Sequence, residues 1–502
     1  MRLLLVTGPG GSGTTTVAAA LAVLAARANL ETVLIGLDGD PGLGTVLATD
    51  LREGPVTVAP GLVALAVASP GRGDPDRDGP VPGGGASGTR FSSGRALGGG
   101  DSGGRDSGPW GDGGRDQGRS RLAAVLDLVG LERVTPAALG RLPDVAGLQS
   151  LLELRDQVRT ADAELVVVDA GSLGTAVRLL ALPGALSTVL RRLLPDSRLI
   201  DRALAGRVTA RATSTGAPEA VDALVEGSRW LLGELAGLVD LLTGPQASVR
   251  LVLTPERTAL ARAVHGWTTL SLLGYPVDGV VANRVGVPGG PDPWRLARAA
   301  AHQELLDRAR ATFTGLDLTI VDDLAVGPVG PDALAELGRQ VLGDRSGADG
   351  ASAEHRDAEQ RATEHRDAEQ RATEHRRGAH RAPSPSGGVE DDPDDLAQAL
   401  LAPPVLPPQV TVEVDDQGYL LGLRVPAAGP EDLQLSRHGD DLVVEFGSVE
   451  RVIQLTGALR RCVVAGARLR GGVLTVRFEP DPRQWRVSLP APGSDHDRYR
   501  TS

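Results

Sequence analysis

The chain has 502 residues, a formal net charge of −12 and only 2% aromatic residues. That length holds two or three domains, and the acidic balance weighs against a general nucleic-acid or anionic-membrane surface. Cys462 is the single cysteine, which excludes intrachain disulfides, Cys-x-x-Cys zinc clasps and paired-cysteine metalloid sites and fits a reducing cytoplasm. Arg2 and the apolar Leu3–Val6 mimic a signal peptide only faintly, because the run stops in a glycine loop. No apolar run approaches the roughly 18 uncharged residues of a membrane span.

Leu3–Val6 has no polar break, the pattern of a buried strand. Gly8-Pro9-Gly10-Gly11-Ser12-Gly13 follows, then an Ala/Leu/Val-rich helical stretch, Thr16–Ala28, that Asn29 can end. Strand, glycine loop and helix is the setting of a phosphate-binding loop, in which backbone N–H groups converge on an anion at a helix N-terminus. The spacing is Gly8-x-x-x-x-Gly13-x-Thr. Thr15 supplies the hydroxyl that such loops use for Mg²⁺, but Thr14 stands where a lysine reaches the β- and γ-phosphates. The chain contains no lysine at all, and the loop gained no arginine in exchange. Taken alone, the loop also fits a glycine-rich turn of some other α/β protein.

A second strand, Thr32–Leu37, runs into Asp38-Gly39-Asp40-Pro41. A carboxylate there, Asp40, can face a γ-phosphate and an attacking water; the plain alternative is an Asp-Pro turn. Leu62–Val67 reads as a third strand. Residues 71–121 are dominated by Gly, Ser, Asp, Arg and Pro and read as a disordered insert, with eight Arg set against seven Asp. Helical periodicity runs from Leu122 to Val158. Glu164–Asp169 is a buried parallel strand with a carboxylate at its mouth, which places Asp169 behind the Mg²⁺ of a phosphate loop. Thr175–Thr243 is helical, with Leu and Val recurring at three and four residues. Val249–Thr254 is a strand ending in a Pro255-Glu256 turn, and Gly279–Val285 contains Val280-Val281-Ala282-Asn283-Arg284. Leu316–Val321 is the last strand, and Ala333–Leu342 the last helix. Strands alternating with helices give a doubly wound parallel sheet.

Residues 344–408 read as a linker in which Ala-Glu-His-Arg-Asp-Ala-Glu-Gln-Arg-Ala recurs with period ten at Glu354, Glu364 and Glu374. Ten residues miss a whole number of helical turns by roughly 80°, so no coiled-coil seam forms. Residues 409–480 alternate as strands, beginning at Val410, Val412 and Val414, and read as a small β-sandwich; 481–502 are a tail.

The loop resembles the deviant Gly-Lys-Gly-Gly-x-Gly-Lys-Thr loop of the ArsA and guided-entry (tail-anchored protein targeting) ATPase family, with Pro9 in place of its signature lysine. Asp169, Gly174, Arg178, Leu179 and Leu180 match that family's switch segment, and Asn283-Arg284 its strand-end motif. The resemblance spans 1–343 and implies a P-loop nucleotide-binding domain for ATP and Mg²⁺, working as a homodimer. It implies that Gly8, Gly10, Gly11, Ser12, Gly13, Thr14 and Thr15 hold phosphates. Thr15 and Asp169 would organise Mg²⁺, Asp40 would orient water, and Asn283 would read adenine. Arg178 is a candidate substitute cation. Ala467–Val476 resembles the Ala-x-x-x-x-Gly-Val-Leu-Thr-Val signature of small heat-shock (α-crystallin) domains, a module appended to a bacterial branch of the family; its C-terminal Ile-x-Ile tag is absent. Two functions follow. One is a cytoplasmic ATPase coupling nucleotide state to dimer closure and to a client, held by the helical layer or the β-sandwich. The other is a non-hydrolysing pseudo-ATPase serving as scaffold. Neither needs nucleic acid or an integral membrane segment.

Overall fold

The computed structural model of the protein describes residues 1–37, 42–52, 54–67, 145–193, 217–287, 292–343, 392–404 and 406–483. The insert expected at 71–121, the period-ten repeats and Asp40 lie outside the described residues.

The first unit is an eight-stranded sheet in the order β3-β4-β2-β5-β1-β6-β7-β8. Its strands are β1 (Arg2–Gly8), β2 (Thr32–Gly36), β3 (Val56–Ala59), β4 (Leu62–Ala66), β5 (Leu165–Ser172), β6 (Ala247–Leu253), β7 (Val277–Val285) and β8 (Asp317–Asp322). All neighbours are parallel except β3–β4. Central strands buried on both faces explain the unbroken apolar runs of the sequence. On one face pack α1 (Thr14–Arg27), the short α2 (Gly42–Leu47) and α8 (Pro331–Leu342). On the other lie α3 (Val145–Thr160), α4 (Leu173–Leu193), α5 (Ala217–Thr243), α6 (Arg257–Leu273) and α7 (Pro293–Thr312). Leu148, Leu151, Leu235, Leu238 and Trp267 fill that second core. Among the described residues no helix is long and apolar enough to cross a membrane.

Several elements lie outside the sequence expectations, the helices α2 and α6 among them. β3 pairs antiparallel with β4 at the sheet edge. α7 buries only Leu306 and Ala309, so it carries little apolar periodicity. α9 (Pro393–Leu401) falls within the stretch read as linker, and it packs Leu396, Leu400 and Leu401 against the α1 core.

The second unit pairs a four-stranded sheet, β14-β15-β10-β9, with a three-stranded one, β11-β12-β13. Its strands are β9 (Val410–Asp415), β10 (Gly418–Arg424), β11 (Leu433–His438), β12 (Asp441–Phe446), β13 (Val449–Gln454), β14 (Cys462–Arg470) and β15 (Val473–Pro480). All of its pairings are antiparallel. Leu421, Leu423, Val444, Phe446, Val476 and Phe478 form a core between the sheets, and Leu272 of α6 joins it from the first unit. Around Leu272, the Thr268 hydroxyl donates to the Pro426 carbonyl, Arg451 donates to the Leu272 carbonyl, and His265 stacks on Phe446 at 4.8 Å. His265, Thr268 and Leu272 recur at three and four residues, one face of the helix. The β-sandwich is therefore seated on the C-terminal half of α6.

Candidate functional site

β1 lies between β5 and β6 in the middle of the sheet, and the loop that follows it opens at the strands' C-terminal ends, where doubly wound folds bind ligands. The loop's conformation depends on its glycines. A Cβ on Gly8 would drive into the Val252 carbonyl of β6, and Gly11 and Gly13 have φ of +82° and +88°. Above Gly10 and Gly11 there is open space among the described residues: apart from its chain neighbours, a Cβ on either would meet none of their atoms within 4 Å. Gly13 leads into α1, whose N-terminus has neither a side-chain cap nor an acidic residue in its first turn. The N–H groups of that turn and the helix dipole therefore have neither a side-chain cap nor a first-turn carboxylate to offset them, the setting that suits an anion.

The side chains of the loop face inward. Ser12 is buried, and its hydroxyl shares a 3.1 Å hydrogen bond with the Thr14 hydroxyl. Thr14 is only 8% exposed, so the residue in the lysine position is committed to the protein. Thr15 is half-buried. On the neighbouring strand Asp169 is buried and accepts the Gly171 N–H at 3.1 Å, while the Thr7 hydroxyl donates to the Gly171 carbonyl at 3.1 Å. Leu37 donates its N–H to the Asp169 carbonyl at 2.9 Å. The chain therefore enters residues 38–41 from a point bonded to Asp169.

Asn283, at the end of β7, braces the loop. Its amide Nδ2 donates to the Ser12 carbonyl at 2.8 Å, and its Oδ1 accepts the Arg284 N–H at 3.0 Å. Two backbone partners thus take its carbonyl and one of its two N–H bonds. Arg284 adopts the left-handed region at φ 59°, where the β7–β8 register breaks between Ala282 and Val285. That irregularity turns its side chain toward the loop, and Nη1 donates to the Gly11 carbonyl at 3.3 Å.

Beside the loop is a cleft of about 370 Å³, walled by Pro9–Gly11, Thr254–Glu256, Arg262, Arg284, Arg298 and His302. Arg298 pairs with Asp323 at 2.8 Å and lies over the Trp294 ring. His302 Nδ1 accepts the Gly286 N–H at 2.9 Å, which requires an unprotonated nitrogen. Burial and the nearby Arg298 push the His302 pKa below its ordinary value, against the pull of Asp323 and Glu256.

These residues fit a phosphate chain through the main chain and the helix terminus, and Thr15 with Asp169 supplies oxygen donors suited to Mg²⁺. The cation that a loop lysine would provide is missing. Arg178 is exposed and, among the described residues, reaches only Thr175, at 3.5 Å. Arg284 was read only as part of the strand-end motif, with no role of its own, and Arg262 was not singled out. The signal for Arg284 was its place next to Asn283, and its left-handed backbone has no sequence signature.

A family model described as Anion-transporting ATPase matches residues 1–71 and 114–343. A second, described as an HSP20-like domain found in ArsA, matches 416–478. The chain is 34% identical to "Uncharacterized protein SCO2128" of Streptomyces coelicolor over 97% of this chain and 99% of that one. It is 29% identical to "Protein Rv2184c" of Mycobacterium tuberculosis over 96% and 97% of the two chains. It is also 24% identical to "Putative arsenical pump-driving ATPase 1" of Aquifex aeolicus, over 31% of this chain and 39% of that one.

Proposed function

The chain belongs to the anion-transporting (ArsA) ATPase family, and on that premise we propose that it binds Mg-ATP at the Gly8–Thr15 loop and hydrolyses it slowly. One observation carries this reading: an open glycine loop on an uncapped helix N-terminus, next to a strand that ends in buried Asp169. The backbone N–H groups of Gly10, Gly11, Gly13 and Thr14 hold the phosphates, while that of Ser12 closes the turn by donating to the Pro9 carbonyl at 3.1 Å. Thr15 and Asp169 hold Mg²⁺, which when bound supplies positive charge to the phosphate oxygens. Asp40, four residues past the end of β2 at Gly36 and outside the described residues, orients the attacking water. Asn283 fixes the loop, and its second N–H is the atom open to an adenine edge. Turnover is slow because Thr14 stabilises no charge on the transferred phosphoryl group.

Nucleotide binding then biases closure of a homodimer. Exposed Val287, Leu324, Val326 and Val329, at the C-terminal ends of β7 and β8, support a contact on that rim. The β-sandwich, seated on α6, would carry the change to a protein client.

Buried Thr14, bonded to Ser12, favours the second reading, a non-hydrolysing scaffold. Calorimetric titration with Mg-ATP and a phosphate-release assay separate the two, using wild type, Thr14→Lys and Asp40→Asn. The proposal expects wild type to bind and turn over, Asp40→Asn to bind without turnover, and Thr14→Lys to bind more than about tenfold tighter. Turnover confined to Thr14→Lys would leave the scaffold reading. No binding by wild type would remove the ATPase reading and leave a nucleotide-free scaffold.

A further inference from the structure

We infer that the cleft between Pro9–Gly11 and the N-terminal halves of α6 and α7 is a phosphate-chain site. In it Arg284, supported by Arg262, supplies the positive charge the loop itself has lost. The inference rests on the nucleotide-binding reading of the loop and names the side chains that complete it.

Arg284 is the guanidinium that touches the loop, through one long bond to the Gly11 carbonyl. Its side chain is exposed, so turning from that carbonyl to an anion costs little. Its backbone is another matter. A left-handed conformation is uncommon for a residue with a Cβ and marks functional sites when the surroundings enforce it. Here Asn283 accepts the Arg284 N–H, the strand register breaks around it, and the same Asn283 amide grips Ser12 of the loop. One side chain thus sets both the loop and the arginine beside it. Arg262 reaches the cleft from α6 and makes no ion pair among the described residues. Arg298 is already neutralised by Asp323, and His302 is uncharged at neutral pH, so among the described residues Arg284 and Arg262 face Glu256 as the cleft's unpaired charges. The balance is one net positive charge beside open space over Gly10 and Gly11. Guanidinium groups bind phosphate oxygens in bidentate pairs, and open main-chain N–H groups next to them add further donors.

The test is calorimetric titration of the full chain with inorganic pyrophosphate, and separately with Mg-ATP. It uses wild type, Arg284→Gln, Arg284→Lys, Arg284→Gly and the remote surface variant Arg308→Gln, with melting curves for each. Pyrophosphate affinity should fall about tenfold or more in Arg284→Gln, stay within about threefold of wild type in Arg284→Lys and Arg308→Gln, and fall in Arg284→Gly. Arg284→Gly should melt no lower than wild type, because glycine accepts the left-handed backbone, so its loss of affinity cannot be a loss of fold. Equal affinity in wild type and Arg284→Gln, or no pyrophosphate binding by wild type, overturns the inference. If wild type binds Mg-ATP while Arg284→Gln changes neither titration, the inference fails and the nucleotide reading survives. Arg284-dependent pyrophosphate binding without Mg-ATP binding leaves the anion site and removes the nucleotide reading.

Discussion

Thr14 shows how much a single position can withdraw from a site without dismantling it. Its hydroxyl satisfies Ser12 inside the loop, so the fold keeps the turn while the charge is gone. Asn283 does the opposite and holds the loop to β7 with one amide. A third residue, His302, makes the region pH-sensitive. Its folded-state pKa is lowered, by burial first and then by Arg298, against Asp323 and Glu256, so the unfolded chain takes up the proton first. The stabilisation is complete above the ordinary histidine value of about 6.5 and is lost as pH falls through the lowered one, when protonation also breaks the bond from Gly286. Melting curves at steps from pH 7.5 to 5 should show a smaller fall in Tm for His302→Gln than for wild type. Parallel curves would remove His302 as a contributor. At this scale the loop glycines, Thr15 and Asp169 were legible as candidates, because backbone turns and strand-end carboxylates announce themselves by residue type. Asn283's grip on Ser12 was not, because no spacing within the chain relates residues 283 and 12.

Among elements, α1 is the one on which one face of the sheet is built, and α8 lies tightly against it. A Cβ on Gly338 would meet the Ala20 carbonyl and the Leu24 side chain. Gly338→Ala gains about 1 kcal/mol in helix propensity but incurs about 1–3 kcal/mol of overpacking against backbone that cannot retreat. The expected outcome is net destabilisation of about 1 kcal/mol, read as a lower urea midpoint with an unchanged slope; a higher midpoint would show that the two helices separate freely. Parallel strands were legible because burial on both faces leaves continuous apolar runs such as Leu165–Val168. α7 and α9 were missed because both expose most of their surface, although each starts at an Asp N-cap followed by Pro, Asp292-Pro293 and Asp392-Pro393. The capping signal was present; the periodicity used to find helices was not.

In the whole molecule, α6 joins the two units. Its first turns, at Thr258, Ala259 and Arg262, line the cleft, and its last turns, at Thr268 and Leu272, carry the β-sandwich. Thr258 to Leu272 is about 21 Å of helix, long enough to connect the nucleotide loop's surroundings to the second unit as one rigid element. Leu272→Asp puts a charge into the shared core and should undock the sandwich. Small-angle scattering should then give a larger radius of gyration with unchanged far-ultraviolet circular dichroism, and unchanged scattering would mean that the contact does not hold the units together. A parallel α/β unit and a small β-sandwich were both legible from the patterning of strands and helices. Their contact was not, since nothing in the spacing of His265, Thr268 and Leu272 relates them to residues 426, 446 and 451 of the second unit.

The central claim is that main-chain N–H groups of the first loop hold a phosphate chain although the lysine is gone. Amide hydrogen exchange of the full chain, with and without Mg-ATP, tests it most directly. The account predicts slowed exchange at Gly10–Thr15 on addition of Mg-ATP; exchange at those amides that is identical with and without nucleotide would contradict it.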